Sequence, residues 1–135
     1  MENQLKSSLT RALLCVAALG MLVACGALSP AQDGGVSYAP DGSVNRTFAF
    51  SLARVKTASL GAFGRMGIRH VGTQTTGSGE ILKGRIRDRD IDLVLEPLGP
   101  AATRIRVRVR AGRLDQDRAT AAEVIVQTER LLGDG

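Results

Sequence analysis

Residues 103–110 read Thr-Arg-Ile-Arg-Val-Arg-Val-Arg, an unbroken alternation of basic and β-branched apolar side chains. A period of two suits a β-strand with one dry and one wet face. On a helix, with about 3.6 residues per turn, the same run would scatter its arginines over every side. Ile105, Val107 and Val109 therefore face a core, and Arg104, Arg106, Arg108 and Arg110 face water. Upstream, Ile91, Leu93 and Leu95 alternate with Asp92, Val94 and Glu96, and Pro97-Leu98-Gly99-Pro100 breaks the chain between the two runs. Pairing dry residues with dry sets Leu95 opposite Ile105, Leu93 opposite Val107 and Ile91 opposite Val109. The wet pairs are then Glu96–Arg104, Val94–Arg106, Asp92–Arg108 and Asp90–Arg110. A slip of one residue would put every aliphatic side chain in water, so the register is strongly specified.

The remaining elements follow from the same reasoning. Glu80–Arg87 is a strand with Leu82, Gly84 and Ile86 facing in and Lys83, Arg85 and Arg87 facing out. A tight turn at Asp88-Arg89 sets Arg85 opposite Asp92 and Arg87 opposite Asp90. Ile68–Thr75 is a strand joined to it by the hairpin turn Thr76-Gly77-Ser78-Gly79, and Val44–Phe50 is the opening strand. Ser51 is placed to cap a helix. In that helix Leu52, Val55, Ser59, Ala62, Phe63 and Met66 fall on one face, and Gly67 is its left-handed stop. Gly61 and Gly64 either weaken the last turn or let the sheet come close. A second helix starts at the cap Asp117, carries the stripe Ala122, Ile125, Val126, Glu129 and Leu132, and stops at Gly133. The order β-α-β-β-β-β-α is that of an α+β domain over residues 44–132. It predicts a single antiparallel sheet of about five strands with two helices on its aliphatic face. A chain of 135 residues has room for one such domain.

Residues 1–24 are of a different kind. Lys6 and Arg11 precede an apolar run of thirteen, Ala12 to Ala24, which is too short to cross about 30 Å of hydrocarbon as a helix. A basic start, a short apolar middle and a small-residue end make a secretory signal peptide. Its last residues, Leu22-Val23-Ala24-Cys25, resemble the lipobox of bacterial lipoproteins. The resemblance implies cleavage between Ala24 and Cys25, a diacylglycerol on the Cys25 thiol, and a further acyl chain such as palmitate on the new amine. Because Gly26 and not Asp follows the cysteine, it also implies the outer membrane, inner leaflet, with the body facing the periplasm. Two or three chains anchor stably, at about 0.8 kcal/mol per buried CH₂. Cys15 lies in the apolar run and leaves with the signal, so the mature chain keeps neither a free thiol nor a disulfide. Residues 25–43 hold the lipidated cysteine and a tether with four Gly and two Pro. Tyr38 is expected at the domain edge, and Pro40-Asp41-Gly42 forms a turn.

The chain carries 18 basic and 13 acidic residues, a net of +5. Loss of Lys6, Arg11 and Glu2 with the signal leaves 16 against 12, a net of +4. Such a balance would ordinarily raise nucleic acid as a partner; a secreted, lipid-anchored chain meets anionic lipid, lipopolysaccharide phosphate or acidic wall polymer instead. Arg104, Arg106, Arg108, Arg110, Lys83 and Arg85 form the candidate surface for such an anion, since Arg forks bind phosphate and carboxylate through two bonds. The first reading of the same stripe is a solvated sheet face whose charges pair with one another.

Other chemistry is thin. His70, the only imidazole, stands between Arg69 and Val71 without a Cys or second His near it in sequence, and reads as a packed or edge histidine. Asp88, Asp90 and Asp92 alternate as in a calcium loop but lack the Gly and the terminal Glu that complete one, and read as an ion-paired strand. Gly77-Ser78-Gly79 has no following Lys and helix to make a phosphate cradle and reads as a turn. No nucleophile–base arrangement, metal site, cofactor or small-molecule substrate emerges.

Several local features recur together in one family. Cys25, the Tyr38 tether, Met66-Gly67-Ile68, the turn Thr76–Glu80, Asp92–Gly99 and Thr103–Arg108 resemble a family of small bacterial lipoproteins whose shared domain has no assigned function. Gly112-Arg113-Leu114-Asp115 stands where members carry Gly-Asp. The resemblance implies an anchored α+β body and no catalytic residue. The expected function is that of a non-catalytic binding or structural module of the cell envelope. Its partner is reached by adding a strand at a sheet edge, or is an anionic envelope polymer or lipid on the Arg face.

Overall fold

The computed structural model describes residues 35–135. The order of elements is β1 (Ser37–Tyr38), β2 (Val44–Phe48), α1 (Leu52–Arg65), β3 (Arg69–Thr76), β4 (Gly79–Ile86), β5 (Arg89–Gly99), β6 (Ala102–Ala111), β7 (Asp115–Gln116) and α2 (Arg118–Gly133). The sheet runs β1-β2-β6-β5-β4-β3, with β7 also on β6, and every pair is antiparallel. Seven strands thus replace the five expected. The two additional ones are two residues long, too short for an alternation to show. Residues 37 and 38, expected within the tether, pair with Asn45 and Val44.

The β5–β6 register is as the dry-to-dry rule requires, Ile91 opposite Val109 through Glu96 opposite Arg104. Pro97 does not end β5: it pairs with Thr103, and the irregularity falls between Pro97 and Gly99. The β4–β5 register differs from expectation by two residues. The tight turn is Arg87-Asp88, so Lys83 opposes Asp92 and Arg85 opposes Asp90. Arg87 takes a left-handed φ of 52° there, the conformation that a two-residue hairpin demands and that usually selects Asn or Gly.

One face of this sheet is dry. Val44, Phe48, Leu82, Ile91, Leu93, Leu95, Ile105, Val107 and Val109 form one cluster with Val55, Ala58 and Phe63 of α1 and Ala121, Val124, Ile125 and Leu132 of α2. Burying each large aliphatic side chain contributes about 1.5–3 kcal/mol, and cover by two helices is what allows so few aromatics to suffice. Helix α1 begins at the Ser51 cap, whose hydroxyl accepts from the Arg54 amide. It closes through the Ile68 amide on the Phe63 carbonyl at 2.8 Å, with Gly67 left-handed between them. Phe63 and Ile68, the apolar pair that accompanies such a stop, are both buried. Gly84 is where they meet the sheet: a Cβ there would lie 2.6 Å from Ile68 and 2.9 Å from the Phe63 ring. Gly61 serves the other helix and not the sheet, its missing Cβ leaving room for Leu131.

Helix α2 is turned by about one position from the expected stripe. Ala121, Val124, Ile125, Thr128 and Leu132 are buried, in place of Ala122, Ile125, Val126, Glu129 and Leu132. Thr128 tolerates burial because its hydroxyl donates to the Val124 carbonyl at 2.8 Å. Glu129 moves to the flank, where both carboxylate oxygens receive the guanidinium of Arg46, one of them at 2.7 Å. Arg46 sits on the core side of β2 between Val44 and Phe48, and its guanidinium also lies over the Phe48 ring, 5.3 Å from the centroid. Among the described residues no helix is long and apolar enough to cross a membrane.

Candidate functional site

Among the described residues no helix covers the wet face of the sheet, and the six expected cations stand on it. Strand alternation puts Arg104, Arg106, Arg108 and Arg110 of β6 on the side opposite Ile105, Val107 and Val109. It puts Lys83 and Arg85 of β4 opposite the buried Leu82 and Gly84. Each is exposed or half-buried.

Most of that charge is answered within the molecule. Arg85 reaches Asp90 at 2.8 Å. Asp92 is shared by Arg110 at 2.9 Å and Lys83 at 3.5 Å, and Arg104 approaches Glu96 at 3.5 Å. Arg108 meets Asp41. Arg106 alone of the six has no carboxylate among the described residues; its Nε donates to the Asn45 side-chain oxygen at 3.2 Å.

These pairs are not all the ones read from register. Asp92–Arg108 and Asp90–Arg110 stand opposite in Cα terms, yet Arg110 leans one step along the strand to Asp92, and Arg108 turns across β2 to Asp41. Sheet twist brings diagonal neighbours within reach of a long side chain, so the ion pairs need not follow the ladder. The expected Arg85–Asp92 and Arg87–Asp90 contacts fall away with the register of that hairpin, for Asp90 takes Arg85 and Arg87 lies in the turn. Exposed pairs of this kind contribute about 0–1 kcal/mol each; their consequence is electrostatic, since four carboxylates offset most of the charge of the six cations.

Asp41 is the functional neighbour that strand pattern alone misses. Its carboxylate accepts from the Ser43 hydroxyl at 2.6 Å and the Ser43 amide at 3.0 Å. Those two bonds, with the Arg108 guanidinium beside them, hold its pKa down to about 2 from 3.8. A turn Pro-Asp-Gly is visible in the sequence, but which strand it folds against is not. Arg46–Glu129 is missed likewise, although an arginine on the apolar side of β2 and a glutamate in the apolar stripe of α2 are its signal. At the far end of β5, Asp117 accepts from the Thr120 hydroxyl and amide and meets Arg89 at 2.9 Å, which lowers its pKa too, chiefly through the Thr120 hydroxyl.

The remaining candidates fall into place around this. His70 lies exposed on β3 with its Nε2 3.1 Å from the Thr73 hydroxyl. Asp90 and Asp92 are engaged by cations, and among the described residues no group of three or more His, Cys, Asp and Glu could hold a metal ion. Gly77 and Ser78 form the turn of the β3–β4 hairpin. Ala24 and Cys25, with the whole of the expected signal peptide, lie outside the described residues. No protein-family model matches the chain, and no curated protein matches it.

Proposed function

We propose that the chain is a small bacterial envelope lipoprotein of the kind it resembles. In this reading it is held by lipid on Cys25 after removal of residues 1–24 and seated on the inner leaflet of the outer membrane. Its periplasmic body serves as a non-catalytic binding or structural module. The observation that carries this reading is Leu22-Val23-Ala24-Cys25 closing a thirteen-residue apolar run. It is supported by the short stretch between Cys25 and the first pairing residue, Ser37, and by a body that needs no cross-link to hold its core.

The test is mass spectrometry of residue 25 in the protein isolated from membranes, alongside Cys25→Ser. The lipidated amino terminus should carry the mass of a diacylglycerol plus an acyl chain, and Cys25→Ser should leave the membrane fraction. A full-length polypeptide with an unmodified thiol sinks the reading.

As to how the module engages a protein, strand addition is favoured by β3. It is eight residues long, paired among the described residues on one side only, by β4, and exposed along most of its length. Site-specific crosslinkers at Gln74 and Thr75 should capture one envelope protein; a scatter of products would count against this mode. Docking of an anionic polymer on the Arg face is the weaker alternative, because five of its six cations already have carboxylate partners.

A further inference from the structure

Basic residues are spread along the whole body, yet nearly all of them stand on backbone that is locked in a regular element. Among the described residues only Arg87 and Arg113, of all the Lys and Arg, lie outside the helices and strands. An endoprotease takes its substrate as an extended stretch, so a bond inside a ladder or a helix is reached only when that element opens. An enzyme that cuts after a basic residue therefore meets two candidate bonds in the body.

The two differ on each count that matters. Arg87 is held in a two-residue turn between β4 and β5, which pair without interruption from Glu80–Leu95 to Ile86–Arg89. The residue after it is Asp88, whose charge beside the scissile bond is repelled by the acidic pocket of an arginine-specific enzyme. Arg113 lies in the longer turn Gly112-Arg113-Leu114 and is followed by an uncharged side chain. Residues 112–116 are all exposed, and Leu114 is 97% exposed. Strand β7, on the far side of the turn, is two residues long and held by the pairings Arg110–Gln116 and Ala111–Asp115. Opening it goes no further than Asp117, whose amide donates to the Val109 carbonyl at 3.0 Å and whose carboxylate meets Arg89 at 2.9 Å. The turn can thus straighten into an active site while α2 keeps its seat, the local opening that exposed loop tips allow. Residues 26–45 hold neither Lys nor Arg, so the same enzyme has no bond to cut between Gly26 and Arg46.

We propose that the Arg113–Leu114 bond is a processing site for an arginine-specific endoprotease, and that cutting it yields a two-chain body with an intact fold. Hydrolysis adds one water across the bond between the Arg113 carbonyl carbon and the Leu114 nitrogen. It leaves a carboxylate on Arg113 and an ammonium group on Leu114. The piece from 114 to 135 then carries β7 and α2 whole. Its Ala121, Val124, Ile125 and Leu132 are buried in the core, and its Glu129 takes the guanidinium of Arg46 through both carboxylate oxygens. Those contacts lie beyond the cut and are untouched by it, so packing holds α2 where the peptide bond no longer does.

The test is brief digestion of the full-length protein under native conditions with trypsin, followed by intact-mass spectrometry and native size-exclusion chromatography, scored for cuts within residues 26–135. The first products should be a fragment of residues 114–135 and its complement, eluting together as one species with a single cooperative melt. Arg113→Gln should slow the first cut by about tenfold or more with an unchanged melting temperature. Arg87→Gln should leave the rate within a factor of about two. A first cut after any other Lys or Arg in that range overturns the proposal. So does cleavage of Arg113→Gln at the parent's rate, or separation of the 114–135 fragment during native elution.

Discussion

Asp41 shows how much a single side chain can tie together. It fastens the turn between β1 and β2 through Ser43 and pins that turn to β6 through Arg108. Its pKa lies near 2 in the fold against 3.8 ordinarily, so its contribution is complete above about pH 4 and is lost as pH falls through the folded value. The difference in urea midpoint between the parent and Asp41→Asn should therefore be constant from neutrality down to about pH 5 and shrink towards pH 2. A gap that stays constant across that range would show that the carboxylate does not titrate with folding. Residues of this sort mark the boundary of what the sequence discloses. The facing of Ile105, Leu93 or Arg106 follows from alternation alone. The partner of Arg108 depends on a turn 67 residues away folding back on the strand, and nothing local encodes that.

Both helices begin where their caps predict, because a cap is a contact within four residues. Asp117 accepts from the Thr120 amide at 2.9 Å and also meets Arg89 of β5, so it fixes the start of α2 and its attachment to the sheet together. Asp117→Ala should cost about 1–2 kcal/mol of unfolding free energy. Asp117→Asn, which keeps the cap but loses the ion, should recover at least half of that. Recovery of none would mean that Arg89, and not the cap, carries the stabilisation. Faces and turns are harder to read than starts. A rotation of one residue separates the expected stripe of α2 from the buried one, since Thr128 hides its hydroxyl in the helix and Glu129 leaves the stripe for Arg46. The β4–β5 turn moves by a residue because Arg87-Asp88, with Arg87 left-handed, makes the tight turn expected of Asp88-Arg89, and the β4 cations opposite β5 move with it.

At the scale of the whole molecule, alternation and helical period suffice for an α+β body with a dry and a wet sheet face. They do not say that the opening strand lands on β6, an arrangement created by α1 passing over the sheet before β3 begins. The division into two faces is open to direct measurement. Leu93 is fully buried and its neighbour Val94 half-buried on the other side. Leu93→Ala should therefore destabilise by about 3 kcal/mol and lower the melting temperature by roughly 15 °C. Val94→Ala should remain within about 1 kcal/mol of the parent, and equal losses would mean that both faces are packed. The route by which the chain joins β1 has a mechanical corollary. It runs along the strand direction beside β2 at Ser37 and Tyr38, so a pull on residue 35 directed along that strand loads the β1–β2 hydrogen bonds in shear. Loaded in this way the rungs share the force, whereas a ladder pulled from a hairpin tip would unzip rung by rung.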